Sequence, residues 1–182
     1  MLLTKKLGAH TGLTLVLLST TLLLSPSSFA QRHKAPSESR ATNQEKKGES
    51  KSSTPRATFL SIANQMLELK TYYVYNGNGP KGWDCSHATT AMINKTLSAL
   101  GKDTISYRTS TTYRNYLRSR GLKISCREAK PGDLIGWSGH IGLVYDSNNL
   151  ISSHSSGGIS KANFISGWAS NMSPECFSNP WF

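Results

Sequence analysis

Apolar positions recur at helical spacing soon after Thr54: Phe59, Ile62, Ala63, Met66 and Leu67 fall on one face. That spacing predicts an amphipathic helix to about Lys70, with Thr54 as N-cap and Pro55 in the first turn. A loop rich in Gly and Asn follows, from Tyr75 to Gly82. Asp84 opens a second expected helix with Ala88, Ala91, Met92 and Leu97 on one side, and Gly101 ends it. Ser110 is expected to cap a third helix, which carries Tyr113, Tyr116 and Leu117 and stops at Gly121. Beyond Gly121 the runs become short and β-rich, at 122–126, 134–137, 141–145 and 150–154. Lys130-Pro131-Gly132-Asp133, Ser138-Gly139 and Asp146-Ser147-Asn148-Asn149 supply the turns between them. Helices followed by closely spaced strands predict an α+β fold with an antiparallel sheet. Residues 164–182 are aromatic and aperiodic, and no element is assigned to them.

The first thirty residues stand apart from this pattern. Lys5 and Lys6 precede an apolar run at 13–24, broken by Ser25-Pro26, and Ser28 and Ala30 are small residues before Gln31. Residues 1–30 therefore read as a secretory signal peptide; the run is too short to span a bilayer, and no stable membrane anchor is expected. Residues 31–56 hold seven basic and three acidic residues and almost no large apolar side chain, the composition of a disordered basic linker. The remaining 57–182 form one expected domain of a protein bound for the periplasm or the extracellular medium. Across all 182 residues the formal charge is +11 with 37% hydrophobic residues, which excludes a multi-span membrane protein. No phosphate loop, metal-ligand spacing or nucleic-acid motif occurs, so neither a cofactor, a metal nor a nucleic-acid partner is expected.

Cys85 carries the candidate chemistry. It opens a helix after a Gly-rich loop, where unpaired N–H groups and the helix dipole favour thiolate and can serve an oxyanion. A disulfide-bonded or buried structural cysteine is the competing reading. In an oxidising compartment Cys126 and Cys176 can pair and leave Cys85 free. A thiol nucleophile needs a base, and outside the leader and linker the histidines are His87, His140 and His154. His140 follows the Ser138-Gly139 turn at a strand edge. Leu150, Ser152 and His154 share a face of the next strand, so Ser152 or His154 could orient the His140 ring. Trp83, Trp137 and Trp168 read as core or cleft-wall aromatics, Trp83 as a candidate substrate contact. Arg114, Arg118 and Arg120 read as a solvated helix face. Asn94-Lys95-Thr96 matches a glycosylation acceptor but falls inside a predicted helix.

The run Tyr73-Val74-Tyr75-Asn76-Gly77-Asn78-Gly79-Pro80-Lys81-Gly82-Trp83-Asp84-Cys85-Ser86 resembles the NlpC/P60 signature. Lys130-Pro131-Gly132-Asp133-Leu134-Ile135 and His140-Ile141-Gly142-Leu143-Val144 resemble that family's Pro-Gly-Asp turn and histidine strand. The resemblance implies a papain-like fold, N-terminal helices packed on a curved antiparallel sheet. It also implies a monomeric cysteine peptidase acting on peptidoglycan stem peptides, commonly between D-glutamate and a diamino acid. It implies Cys85 as nucleophile, His140 as base, His154 or alternatively Ser152 as third residue, Tyr73 near the oxyanion, and Asp84 and Ser86 at the substrate's amino end. Two positions depart from the pattern: His87 stands where the family has glycine after Asp-Cys-Ser, and Asn76 replaces a glycine. A CHAP-type peptidoglycan amidase and an inactive wall-peptide-binding module are the alternatives.

Overall fold

The computed structural model describes residues 53–182. The expected leader and the linker up to residue 52 lie outside the described residues. Helix α1 (Pro55–Glu68) begins where the Thr54-Pro55 pair placed it, with the Thr54 hydroxyl accepting from the Ala57 N–H. Phe59, Ala63 and Met66, spaced to share one face, are its buried residues. Arg56 in its first turn donates to the Pro131 carbonyl at 2.6 Å and pairs with Asp133 at 3.1 Å, so ordered contacts begin within the segment read as linker.

The Gly/Asn loop contains a two-residue hairpin, β1 (Asn78–Gly79) and β2 (Gly82–Trp83), which delivers the chain directly into helix α2 (Cys85–Ala99). Helix α3 (Ser110–Ser119) is capped by Thr109, one residue before the expected Ser110, because the Thr109 hydroxyl reaches the Thr112 N–H. Asn94 bonds both the N–H and the carbonyl of Ile105, so its side chain holds the α2–α3 connection.

Six strands follow: β3 (Lys123–Ile124), β4 (Leu134–Trp137), β5 (His140–Val144), β6 (Asn149–His154), β7 (Gly158–Asn163) and β8 (Glu175–Phe177). They form one antiparallel sheet ordered β3-β8-β4-β5-β6-β7. The last strand in sequence is thus inserted between the first two of the sheet. Alternation along the strands divides the core. Leu134, Ile141, Leu143, Ile151 and Phe177 pack on the helices with Phe59, Met66, Met92, Ile93 and Leu117, while Ile135, Val144, Leu150 and Cys176 pack with Phe164 and Ala169 on the other face. The segment 164–174, unassigned from sequence, covers that second face and includes a 3₁₀ turn, Trp168–Met172. A disulfide joins Cys126 to Cys176 on β8, and Cys85 remains a free thiol. Among the described residues no helix is long and apolar enough to cross a membrane.

Candidate active site

The site begins with the helix cap. Asp84 is the N-cap of α2: its Oδ1 accepts from the His87 N–H at 2.7 Å and from the Ser86 hydroxyl at 2.8 Å, and its Oδ2 pairs with His87 Nδ1 at 2.8 Å. The Ser86 hydroxyl lies 3.1 Å from that of Tyr107, whose ring stacks on His87 with centroids 3.9 Å apart. Asp84, Ser86, His87 and Tyr107 therefore close a ring of contacts around the start of α2. Burial works against the Asp84 carboxylate, but the bonds from His87 and Ser86 outweigh it and hold the group below its ordinary range.

Cys85 is the first residue of α2, 7% exposed, and its sulfur lies 3.9 Å from the Gly139 carbonyl. Burial pushes its thiol up and the Asp84 charge adds to this; the N–H groups of Ile141, Ser86 and Cys85 itself pull the other way without reversing it. The expectation that the helix start would favour thiolate is therefore corrected. Burial of the sulfur and a carboxylate at the N-cap outweigh the N–H groups.

On the facing strand, the tight Ser138-Gly139 turn, with Gly139 at φ 79°, pairs Trp137 with His140 across β4 and β5. Their rings stack at 4.4 Å. His154, at the end of β6, stacks on His140 at 5.1 Å with an interplanar angle of 15°. Trp168 stands edge-on to both Trp137 and His154, at 5.8 and 5.2 Å. Burial pushes His140 down to about 3, with His154 adding to it. Burial likewise pushes His154 down to about 4, against the pull of the Ser160 backbone. Both imidazoles are thus neutral near pH 7, and the Nε2 atom of each is buried without a hydrogen-bond partner. Ser152, the alternative third residue, donates to the Ile141 carbonyl at 2.8 Å. Its hydroxyl is spent on the backbone, while His154 meets His140 face to face rather than through a hydrogen bond.

Two hollows adjoin. One, about 150 Å³, is lined by Cys85, Asp84, Ser86, Tyr75 and Tyr107; the other, about 420 Å³, by His140, His154, Trp137, Trp168 and Ser153. Tyr73 and Gly139 line both. Burial raises the Tyr73 phenol, and the charges of Cys85, Asp84 and Tyr75 raise it further, so it stays protonated and can donate. The structure thus brings Cys85, His140, His154 and Tyr73 to one groove. Asp84 and Ser86 line it with their polar atoms already engaged. Trp83 packs against the core, and Ser153 bonds its carbonyl at 2.7 Å, tying β6 to the residue that leads into the nucleophile's helix. Trp137 and Trp168, read as core or cleft-wall aromatics, line the larger hollow, whereas sequence reasoning missed Tyr107 and Ser153, since nothing in their local pattern signals a cleft. Among the described residues no group of three or more His, Cys, Asp or Glu is placed to hold a metal.

A helix-borne thiol set against a histidine-bearing antiparallel sheet defines the class of this site. The NlpC/P60 family model matches residues 70–177, more than half of the sequence, and the chain belongs to that family. Among solved structures, it is similar to an NlpC/P60 family protein from Bacillus cereus (16% identity, 69% of this chain and 40% of that one, TM-score 0.50), a likeness of fold. The NlpC/P60 domain of the peptidoglycan hydrolase SagA aligns at 22% identity over 68% of this chain and 98% of that one, with a TM-score of 0.49. NlpC2 from Trichomonas vaginalis aligns at 20% over 60% and 42%, with a TM-score of 0.48. The chain thus spans about two fifths of the first and last of these. No curated protein matches the sequence.

Proposed function

We propose that the protein is a secreted cysteine peptidase hydrolysing amide bonds in peptidoglycan stem peptides, between D-glutamate and the diamino acid, with Cys85 as nucleophile and His140 as general base. The observation that carries this reading is the meeting of Cys85 and His140 across Gly139 in one groove, in a chain of this family. Secretion rests on the leader pattern and on the Cys126–Cys176 disulfide, a bond that persists in oxidising compartments.

The resting pair is thiol and neutral imidazole. As the sulfur attacks the amide carbon, the thiol proton passes to His140 and the carbonyl oxygen becomes an oxyanion. In this reading the Cys85 N–H and the Tyr73 hydroxyl, which stays protonated and lines the same hollow, donate to that charge. Trp137 stacks on the imidazolium as it forms, a cation–π contact absent from the neutral ground state. Collapse of the intermediate returns the proton from His140 to the departing amine and leaves a thioester. Water then gives its proton to His140, and its oxygen displaces the sulfur, which regains the proton. His154 keeps the His140 ring in plane by stacking.

The test uses the purified chain and defined muropeptides read by mass spectrometry. Cleavage between D-glutamate and the diamino acid, absent in Cys85→Ala, is the expected result. Cleavage at another amide would move the protein to the amidase alternative, and binding without cleavage by both chains would favour the wall-peptide-binding module.

A further inference from the structure

The groove does not end at His154. A third hollow, about 350 Å³, continues from the His140 side and shares Tyr73, Ser155 and Ser156 with it. Its far end is formed by Lys70, Thr71, Tyr72 and the Gly157-Gly158 turn. The wall here is built to close tolerance. Lys70 takes a left-handed backbone (φ 47°) just past α1, and Gly158 (φ 65°) packs so closely that a Cβ on it would fall 1.6 Å from the Thr71 carbonyl oxygen. Only glycine fits that contact, which locks the end of β6–β7 against the chain leaving α1. Tyr72 stands at the rim, 78% exposed.

The charge along this path is one-sided. Neither the His140 hollow nor the third hollow is lined by Asp or Glu, and Lys70 is the one lysine or arginine lining either. Lys70 has no salt-bridge partner among the described residues. At the other end of the groove the Asp84 carboxylate is already held by Ser86 and His87. On the His140 side of Tyr73 an extended ligand therefore meets one formal charge from the lining, and it is positive.

We infer that the third hollow is a distal subsite for a carboxylate carried by the peptide some residues from the bond at Cys85, with Lys70 as counter-charge and the Ser155 and Ser156 hydroxyls as further donors. The site is thereby matched to acidic peptides. This rests on the proposed reaction for the identity of the peptide, but its test does not depend on turnover. Short peptides with a C-terminal carboxylate, an acidic side chain, both, or both amidated are titrated into the Cys85→Ala chain, followed by calorimetry and by the amide resonances of residues 70, 155 and 157. The expected result is about three- to fivefold tighter binding of a carboxylate-bearing peptide, the size of one solvent-exposed ion pair. That preference disappears in Lys70→Gln, reverses in Lys70→Glu and weakens with salt. The singly amidated peptides tell whether the terminal or the side-chain carboxylate is read. Equal affinity for all peptides, binding of none, or a preference untouched by Lys70→Glu overturns the subsite. Cysteine-dependent cleavage with no Lys70 effect overturns the subsite and leaves the peptidase reading. Lys70-dependent binding with no cleavage by the unmutated chain does the reverse.

Discussion

Around Cys85, one carboxylate takes three hydrogen bonds within a single helical turn, whereas around His140 two imidazoles keep buried Nε2 atoms without a partner and are held by ring contacts. Hydrogen bonds fix direction, so the nucleophile's side of the groove is set before any ligand arrives. Stacking fixes the plane of a ring but leaves rotation within that plane less constrained. The base side is therefore the half that substrate completes, consistent with catalytic hydrogen bonds that tighten only in the bound complex. An orphaned buried polar atom costs about 1–3 kcal/mol, a cost the imidazole pair carries twice while both Asp84 oxygens are satisfied.

The comparison can be broken first at His140. His140→Ala should lower kcat/KM by about 10²–10⁴, the usual contribution of a general base, and a loss under tenfold would mean that the Cys85 side works alone. Next, His154→Ala removes the stacking partner and should cost about 10²-fold through misplacement of the base, while His154→Phe, which keeps a ring, should retain most activity. If Phe is as poor as Ala, a hydrogen bond from His154 forms during turnover and stacking is not its role. A smaller effect appears in stability. Both histidines are depressed in the fold, to about 3 and about 4, and protonate near 6.5 when unfolded. Stability is therefore full above about pH 6.5 and is lost as pH falls through about 4, by up to about 1.4 kcal/mol per histidine for each pH unit. Thermal melts of the unmutated chain and His154→Phe should show the variant with roughly half the slope. The smallest effect sharpens the Cys85 side. Alkylation by iodoacetamide should be slow at pH 6 and climb steadily with pH. Asp84→Asn should raise the rate about fivefold at pH 7, roughly 1 kcal/mol of charge interaction through water. No change would mean that burial alone sets the thiol.

Much of this was legible in the sequence where the determinants are local. Thr54-Pro55 and Asp84-Cys85 mark helix starts because caps act within three residues, and the β4–β5 hairpin follows from Ser138-Gly139. Strand β7 escaped because Gly158–Asn163 is poor in β-branched and aromatic side chains; its six-pair register with β6 comes from the partner strand. Strand β8 escaped because three residues carry no period and its paired neighbours lie 39 or more positions earlier. At the site, the identities of Cys85 and His140 could be read from type and position. The direction of the Cys85 shift could not, because burial and the cap carboxylate oppose the backbone N–H groups and only the folded geometry decides between them. Alternation placed Ser152 and His154 on one face but could not say which would turn toward His140.

The position of β8 also sets an order of events during synthesis. Strands β4 to β7 can pair as each emerges, every one beside its predecessor, but β3 has no neighbour until Glu175, Cys176 and Phe177 appear. The same last residues bring Asn179, which caps the Gly132 carbonyl and the Asp133 carboxylate, and Trp181, which packs against Tyr113 and Tyr116. A chain made only as far as residue 174 holds every side chain of the groove and yet lacks the strand that closes the sheet. Residues 175–181 close the sheet, so the groove gains its full support only once they have been made.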